Sequence, residues 1–335
     1  MTPLPRIVVV HPWWDLWAHT APAGFRESRL DLARSVASSL ADAFSTVAVV
    51  EAPSVDDGAR IGAELARMAA DDGPIDAVLV LQTMAVPVGY TLAVLDALPG
   101  IPVVVWAAHE HGLVDGQFDH ASITTQGATV GAPMLTNMLV RTRRPFELIL
   151  GRLADPVVVG RVREALHIGG VSSGIRRARL GRIGRPITGY LHVDVPDDDL
   201  RAGTGITAVY IDPDEVVDAW RAVTPSRLAT LDAEVRAAWT FEGDVDGDES
   251  LERSLRAALA LEDVVAVHRL DGGAFNCHVP QFRFGDEIGI APCWGLGRLT
   301  TMGIPFTCTG DILTAVAMLV TKRLGGAALY HEIEA

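Results

Sequence analysis

DAVLVLQTMAVPVGYTLAVLDALPGIPVVVWAAH, residues 76–109, is the stretch whose reading decides the fold. Asp76–Thr83 (DAVLVLQT) and Pro102–His109 (PVVVWAAH) are short apolar runs rich in β-branched residues. Runs of that length, without polar alternation, suit strands buried on both faces. Between them Val86–Leu98 has the length and composition of a helix. Strand, helix, strand is the crossover unit of a parallel sheet, because parallel strands cannot be joined by a tight turn.

The same alternation extends in both directions. Upstream lie Arg6–Pro12 (RIVVVHP), a helix over about Phe25–Phe44, Thr46–Glu51 (TVAVVE) and a helix over about Val55–Asp71. Downstream, a long polar loop leads to a helix over about Gly131–Arg141 and then to Phe146–Gly151 (FELILG). Five apolar strands alternating with helices predict an α/β domain with a doubly wound parallel sheet, flavodoxin-like in its simplest form, over residues 1–175. A helix over Asp155–Gly174 leads into IRRARLGRIGRPITGYLHVDV (175–195), whose Arg176, Arg177, Arg179, Arg182 and Arg185 read as a solvated connector, glycine-punctuated into loop and strand. The texture then changes. TGITAVYIDPDEVVDAWRAV (204–223) predicts a strand and a helix begun at Pro213, followed by helices over Ser226–Trp239 and Ser250–Leu261 and a strand over Val264–Leu270. A second α/β domain is therefore expected over 176–335.

Composition narrows the partners. A net charge of −14 on 335 residues disfavours nucleic acid and anionic membrane surfaces, which would repel the chain. Three cysteines without a CxxC pair fit a reducing compartment. No run approaches the roughly 18 apolar residues of a membrane helix, and MTPLPRIVVVHPWW lacks the pattern of a signal peptide. The expectation is a soluble, cytoplasmic protein.

Open α/β sheets place their chemistry at the carboxyl ends of their strands. Here those ends carry His11-Pro12-Trp13-Trp14-Asp15, Gln82-Thr83-Met84 and His109-Glu110-His111-Gly112, with Asp119, His120, Thr124, Thr125 and Gln126 in the following loop. No GxGxxG follows the first strand, so dinucleotide binding has no support. In EGDVDGDES, Asp244, Asp246 and Asp248 are spaced as in a calcium loop, but Glu249 replaces the required glycine and Leu255 the closing glutamate. That segment reads as an exposed acidic loop. In the last stretch, GIPFTCTGDILTAVAMLVTKRLGGAALYHEIEA (303–335), Thr309 is the expected cap of a helix that is apolar almost all round. Asp311 lies in its first turn and Gly325-Gly326 closes it. A strand, AALYHEIEA, is then expected to bring back His331, Glu332 and Glu334.

Three segments together resemble the L-fucose/L-arabinose isomerase family: HEHG (109–112) with ITTQGATVGAPMLTN downstream, RIGRPITGYLHVD followed by GITAVYID, and PCWGLGRLTTMGIPFTCTGDILTAVAMLV. The likeness runs in order over most of the chain, and the last segment is its sharpest motif. It implies a second domain of fucose/arabinose isomerase type and aldose–ketose isomerisation, with Mn²⁺ or Mg²⁺ bridging the two sugar oxygens of an enediol. It also implies a homo-oligomer whose site is completed by a neighbouring subunit. Glu332 is the position matched to the family's second acid; Asp311 and Glu332 are the expected catalytic and metal residues, with His278 near them in a rebuilt site, and Gln82, Glu110, His111 and His278 are the expected substrate contacts. Asn276 would assist, and Glu110, His111 or Asp119 would reach in from the neighbour. The substrate is a small sugar or polyol.

Two departures are visible. The family's Cys-Glu-Gly-Asp reads Cys308-Thr309-Gly310-Asp311 here, and a threonine hydroxyl cannot serve as the missing carboxylate base. The family also continues well past the acid matched to Glu332, towards a histidine ligand, so the chain reads as a fragment or a shortened relative. Alternative readings are a catalytically silent sugar-binding homologue, and an epimerase or lyase on the same scaffold.

Overall fold

The computed structural model describes residues 4–21, 23–110, 112, 116, 118, 120–242 and 247–330. The chain divides into two compact units, Met1–Gly174 and Ile175–Ala335. The first contains β1 (Arg6–Pro12), α1 (Leu16–Thr20), α2 (Phe25–Ser39), β2 (Ser45–Ala52), α3 (Val55–Asp71), β3 (Ala77–Gln82), α4 (Val88–Asp96), β4 (Val103–His109), α5 (His120–Thr125), α6 (Ala128–Arg141), β5 (Phe146–Arg152) and α7, which runs from Pro156 to Arg176. Its sheet is parallel throughout, in the order β2-β1-β3-β4-β5.

Strand period two explains how this sheet is covered. Val8, Val10, Val78, Val80, Val103 and Val105 face one way and pack on Leu65 of α3, Val94 and Leu95 of α4, and Leu135 and Leu139 of α6. Their alternates Ile7, Val9, Leu79, Leu81, Val104 and Trp106 pack on Ala33 and Val36 of α2 and Val162 and Leu166 of α7. Both faces are buried, which is why these strands read as unbroken apolar runs.

The second unit contains β6 (Arg179–Ile183), α8 (Asp197–Thr204), β7 (Thr207–Ile211), α9 (Pro213–Ala222), α10 (Pro225–Ala238), α11 (Glu249–His268), β8 (Gly272–Phe275), α12 (Cys293–Thr301), β9 (Phe306–Thr307) and α13 (Ile312–Arg323). Its sheet, β7-β6-β8-β9, is again parallel. Helix starts follow the sequence closely. Asp212 and Glu215 form a reciprocal capping box with Pro213 in the first turn of α9, and Thr224 with Pro225 opens α10. Asp248 of the acidic loop caps α11 by accepting from the Ser250 and Leu251 amides. Asp244 and Asp246 lie outside the described residues.

Several expectations for this half are corrected. Arg179–Ile183 is no connector but an inner strand, paired on both sides. It tolerates Arg182 because the buried guanidinium reaches Asp197 at 2.8 Å. Val264–His268 is the end of α11, not a strand. Val264 and Val265 continue the helix's buried face while Val267 is exposed, and Arg269 ends it in the left-handed region at φ 52°. Helix α13 is not buried all round: Ile312, Ala315, Met318 and Leu319 face the core while Leu313 is exposed. The expected strand after it is absent over the described part, 327–330; His331, Glu332 and Glu334 lie outside the described residues. Gly325 (φ 91°) does close α13 as expected, its amide donating to Lys322 and that of Gly326 to Thr321.

Candidate functional site

In the first unit the strand order reverses between β1 and β3, and the crevice beyond their carboxyl ends is where such sheets take ligands. His11 ends β1's apolar run and Thr83 follows β3. The His11 Nε2 lies 3.2 Å from Thr83 Oγ1, with both side chains buried. Nδ1 of His11 has no partner among the described residues. Burial, and then the charge of Arg29, push the imidazole down to a pKa of about 3, so it is neutral at physiological pH. It can act there as a hydrogen-bonding group but not as a cation.

Next to it, Arg29 of α2 makes a two-pronged ion pair with Glu110, which follows β4. His109 Nδ1 sits 3.1 Å from Gln126 Oε1. Aromatic rings gather at the same edge. Buried Trp13 packs 6.0 Å from Phe25, and Trp14 and Trp17 meet edge to face at 5.8 Å. Trp17 is tethered by its indole N–H to the Ala85 carbonyl at 2.8 Å.

Gln82 belongs to the same edge. It is buried at the end of β3 and donates to the Met84 carbonyl. Helix α6 presses Gly131 against this bond: a Cβ there would sit 2.2 Å from the Met84 carbonyl oxygen. Gln82 thus supports the turn that presents Thr83. His111 and Asp119, both expected near this edge, lie outside the described residues.

In the second unit the order reverses between β6 and β8. Asn276, just past β8, is buried and bridges the two strand ends. Its amide donates to the Arg185 carbonyl, and its Oδ1 accepts from the His278 amide at 3.0 Å. The His278 side chain itself is exposed. Beyond β9 comes the turn Cys308-Thr309-Gly310-Asp311, with Thr309 at φ 54° and Gly310 at φ 81°. Thr309 is not the cap of α13. A β-branched residue held in the left-handed region cannot also supply a cap's extended backbone. Asp311 is the cap: Oδ1 accepts from the Thr314 amide at 3.0 Å and Oδ2 from the Thr314 hydroxyl at 2.6 Å.

That geometry bears on the expected Mn²⁺ or Mg²⁺. A hard ion of this kind requires several converging oxygen donors. Both Asp311 oxygens are engaged by Thr314, residue 309 offers only a hydroxyl, and no group of three His, Cys, Asp or Glu side chains among the described residues is arranged to hold a metal. Glu332, the other expected ligand, lies outside the described residues. If Asp311 is a cap, Asp311→Ala lowers the unfolding free energy by about 1 kcal/mol and leaves manganese uptake by the protein unchanged from wild type. Urea unfolding and atomic absorption measure the two; manganese present in wild type and lost from the variant would contradict the assignment.

Comparison with known proteins finds a few distant relatives. The relatives found are sugar isomerases, and the likeness is distant. They are the sulfoquinovose isomerases of Priestia aryabhattai, 23% identical over 225 residues (67% of this chain, 48% of the relative), and of Alkalicoccus urumqiensis, 23% identical over 232 residues (69% and 49%). The chain spans about half the length of the curated relatives it matches. The expectation of a sugar isomerase agrees with them at the level of reaction class, but the sugar in their names is neither fucose nor arabinose. No family model matches the chain. Among solved structures, a C2-type ketoreductase from a modular polyketide synthase covers 92% of this chain and 81% of its own at 18% identity. Its TM-score of 0.34 is too low to bear on fold or function. No described helix is long and apolar enough to cross a membrane.

Proposed function

We propose that this chain is the sugar-holding part of an aldose–ketose isomerase, with sulfoquinovose as the first substrate to test. The observation that carries the reading is the likeness, over two thirds of the chain, to proteins named for that reaction. The all-parallel order 2-1-3-4-5 supports reading the first unit as a flavodoxin-like domain, and the second parallel sheet supports a separate isomerase-type domain after it.

In this proposal the carboxyl edge of the first sheet takes sugar hydroxyls. Glu110, partly exposed, offers carboxylate oxygens oriented by Arg29, and the buried His11–Thr83 pair fixes the strand ends behind it. Isomerisation moves a proton from C2 to C1 and a hydroxyl proton between the two oxygens, which needs a positioned acid/base group. Glu332, matched to the family's acid, is the residue proposed for that role. No step is routed through a metal. A homo-oligomer in which Glu110, His111 or Asp119 of one subunit completes the site of another belongs to the same proposal. A second reading, a silent sugar binder, is favoured by one observation: the motif's remaining acid, Asp311, is wholly engaged in capping its own helix.

Incubation with sulfoquinovose in deuterated water separates the readings. The isomerase deposits deuterium at C2 of the recovered aldose and yields ketose, and Glu332→Gln loses both while calorimetric binding persists. Binding without exchange in wild type selects the silent binder. Absence of binding to sulfoquinovose, glucose, fucose and arabinose overturns both.

A further inference from the structure

The carboxyl edge of the second sheet also holds two thiols that the sugar chemistry does not use. Cys277 lies two residues beyond β8 and Cys308 directly follows β9, and these strands are neighbours in the sheet. Their sulfurs are 3.6 Å apart, with one thiol hydrogen shared between them. Cys277 is buried in the core of this unit, while Cys308 is partly exposed. The two are 31 residues apart in sequence, so no local motif produced the pair.

We propose that Cys277 and Cys308 are a redox-sensitive pair that a peroxide converts to a disulfide. The sulfurs already stand 3.6 Å apart, so reaching the roughly 2.05 Å of an S–S bond requires each to move by less than about 1 Å, within the reach of side-chain rotation. The electronics favour the reaction. The hydrogen bond from Cys308 outweighs the cost of burial and brings the Cys277 thiol down to a pKa of about 7, so a large fraction of the pair has lost a proton at neutral pH.

The chemistry balances. The partly exposed Cys308 sulfur, as thiolate with the shared proton passed to Cys277, attacks hydrogen peroxide. The O–O bond breaks, Cys308 becomes a sulfenic acid and, with a proton, one water leaves. Cys277 then gives up its proton and attacks the Cys308 sulfur. The S–S bond forms, the S–O bond breaks, and hydroxide leaves with that proton as the second water. Two thiols lose two electrons to one peroxide. The product ties the segment carrying Asn276 and His278 to the turn that hands Asp311 to α13. This inference stands whether or not the chain handles a sugar.

The test uses the whole reduced protein and one equivalent of hydrogen peroxide. Titratable thiols under denaturing conditions are expected to fall from three to one, with loss of two hydrogen masses and a Cys277–Cys308 peptide in the digest. Dithiothreitol restores all three thiols, and Cys293→Ser reacts identically with one thiol fewer. Dimedone traps Cys308 in Cys277→Ser, a readout on reactivity that mere packing of two thiols would not give. A peptide linking Cys293, an unchanged thiol count, or a stable sulfenic acid in wild type overturns the proposal.

Discussion

Between pH 6.5 and pH 4 the unfolding free energy of the wild-type protein is expected to fall by one proton's worth more steeply than that of His11→Gln, a difference of about 1.4 kcal/mol per pH unit. The cause is the buried imidazole beside Thr83. In the unfolded chain it titrates near 6.5, and in the folded protein at about 3. The folded-state value is depressed, so the unfolded state binds the extra proton throughout the interval between them. Stability from this group is therefore fully present above pH 6.5 and lost as pH falls towards 3. Carried across the whole interval, the loss is about 5 kcal/mol, a third or more of a typical domain's stability. Urea unfolding at a series of pH values gives the slopes, and the His11 ring resonances should not titrate above pH 4 while the protein stays folded. Parallel slopes in wild type and variant would mean that the ring is charged or solvated in the native state.

Much of the first unit was legible because its strands are buried on both faces. RIVVVHP, DAVLVLQT and PVVVWAAH announce themselves without any knowledge of their partners, and their ends fall within a residue or two of the observed β1, β3 and β4. The second unit hid its central strand because RLGRI carries two arginines. What neutralises Arg182 is Asp197, on a helix that lies beyond a loop, and local sequence does not disclose that pairing. Val264, Val265 and Val267 misled in the opposite sense, since a cluster of β-branched residues reads as a strand although here only the first two lie on the buried face of a helix. At the motif near residue 309 the residue types suggested the right element but the wrong cap. Thr309 and Asp311 are both competent caps, and only the backbone, with Thr309 at φ 54°, decides between them. The candidate site was legible as a list of polar strand ends and no further. His11 meets Thr83 across 72 residues, and Arg29 meets Glu110 across 81, contacts that exist only once the sheet has formed.

That last pair should respond asymmetrically to mutation. The Arg29 side chain is 8% exposed and that of Glu110 is 29% exposed. Removing the carboxylate leaves a guanidinium enclosed by α2, the Phe25 ring at 5.1 Å and the neighbouring His11. A buried charge stripped of its partner costs about 3–5 kcal/mol, and Glu110→Ala is expected near the lower end because Glu110 itself is not fully enclosed. Arg29→Met is expected to cost less, about 1–2 kcal/mol, since the Glu110 carboxylate can recover water and the methionine stem preserves packing on Phe25. The double variant should then lie closer to Arg29→Met than to the sum of the two, because the isolated guanidinium, which is the expensive species, is gone. Urea unfolding of the three variants reads this directly. Equal single-variant costs that add in the double would show the pair to be energetically uncoupled, leaving Arg29 as a packing residue and removing the proposed orientation of Glu110 towards a sugar.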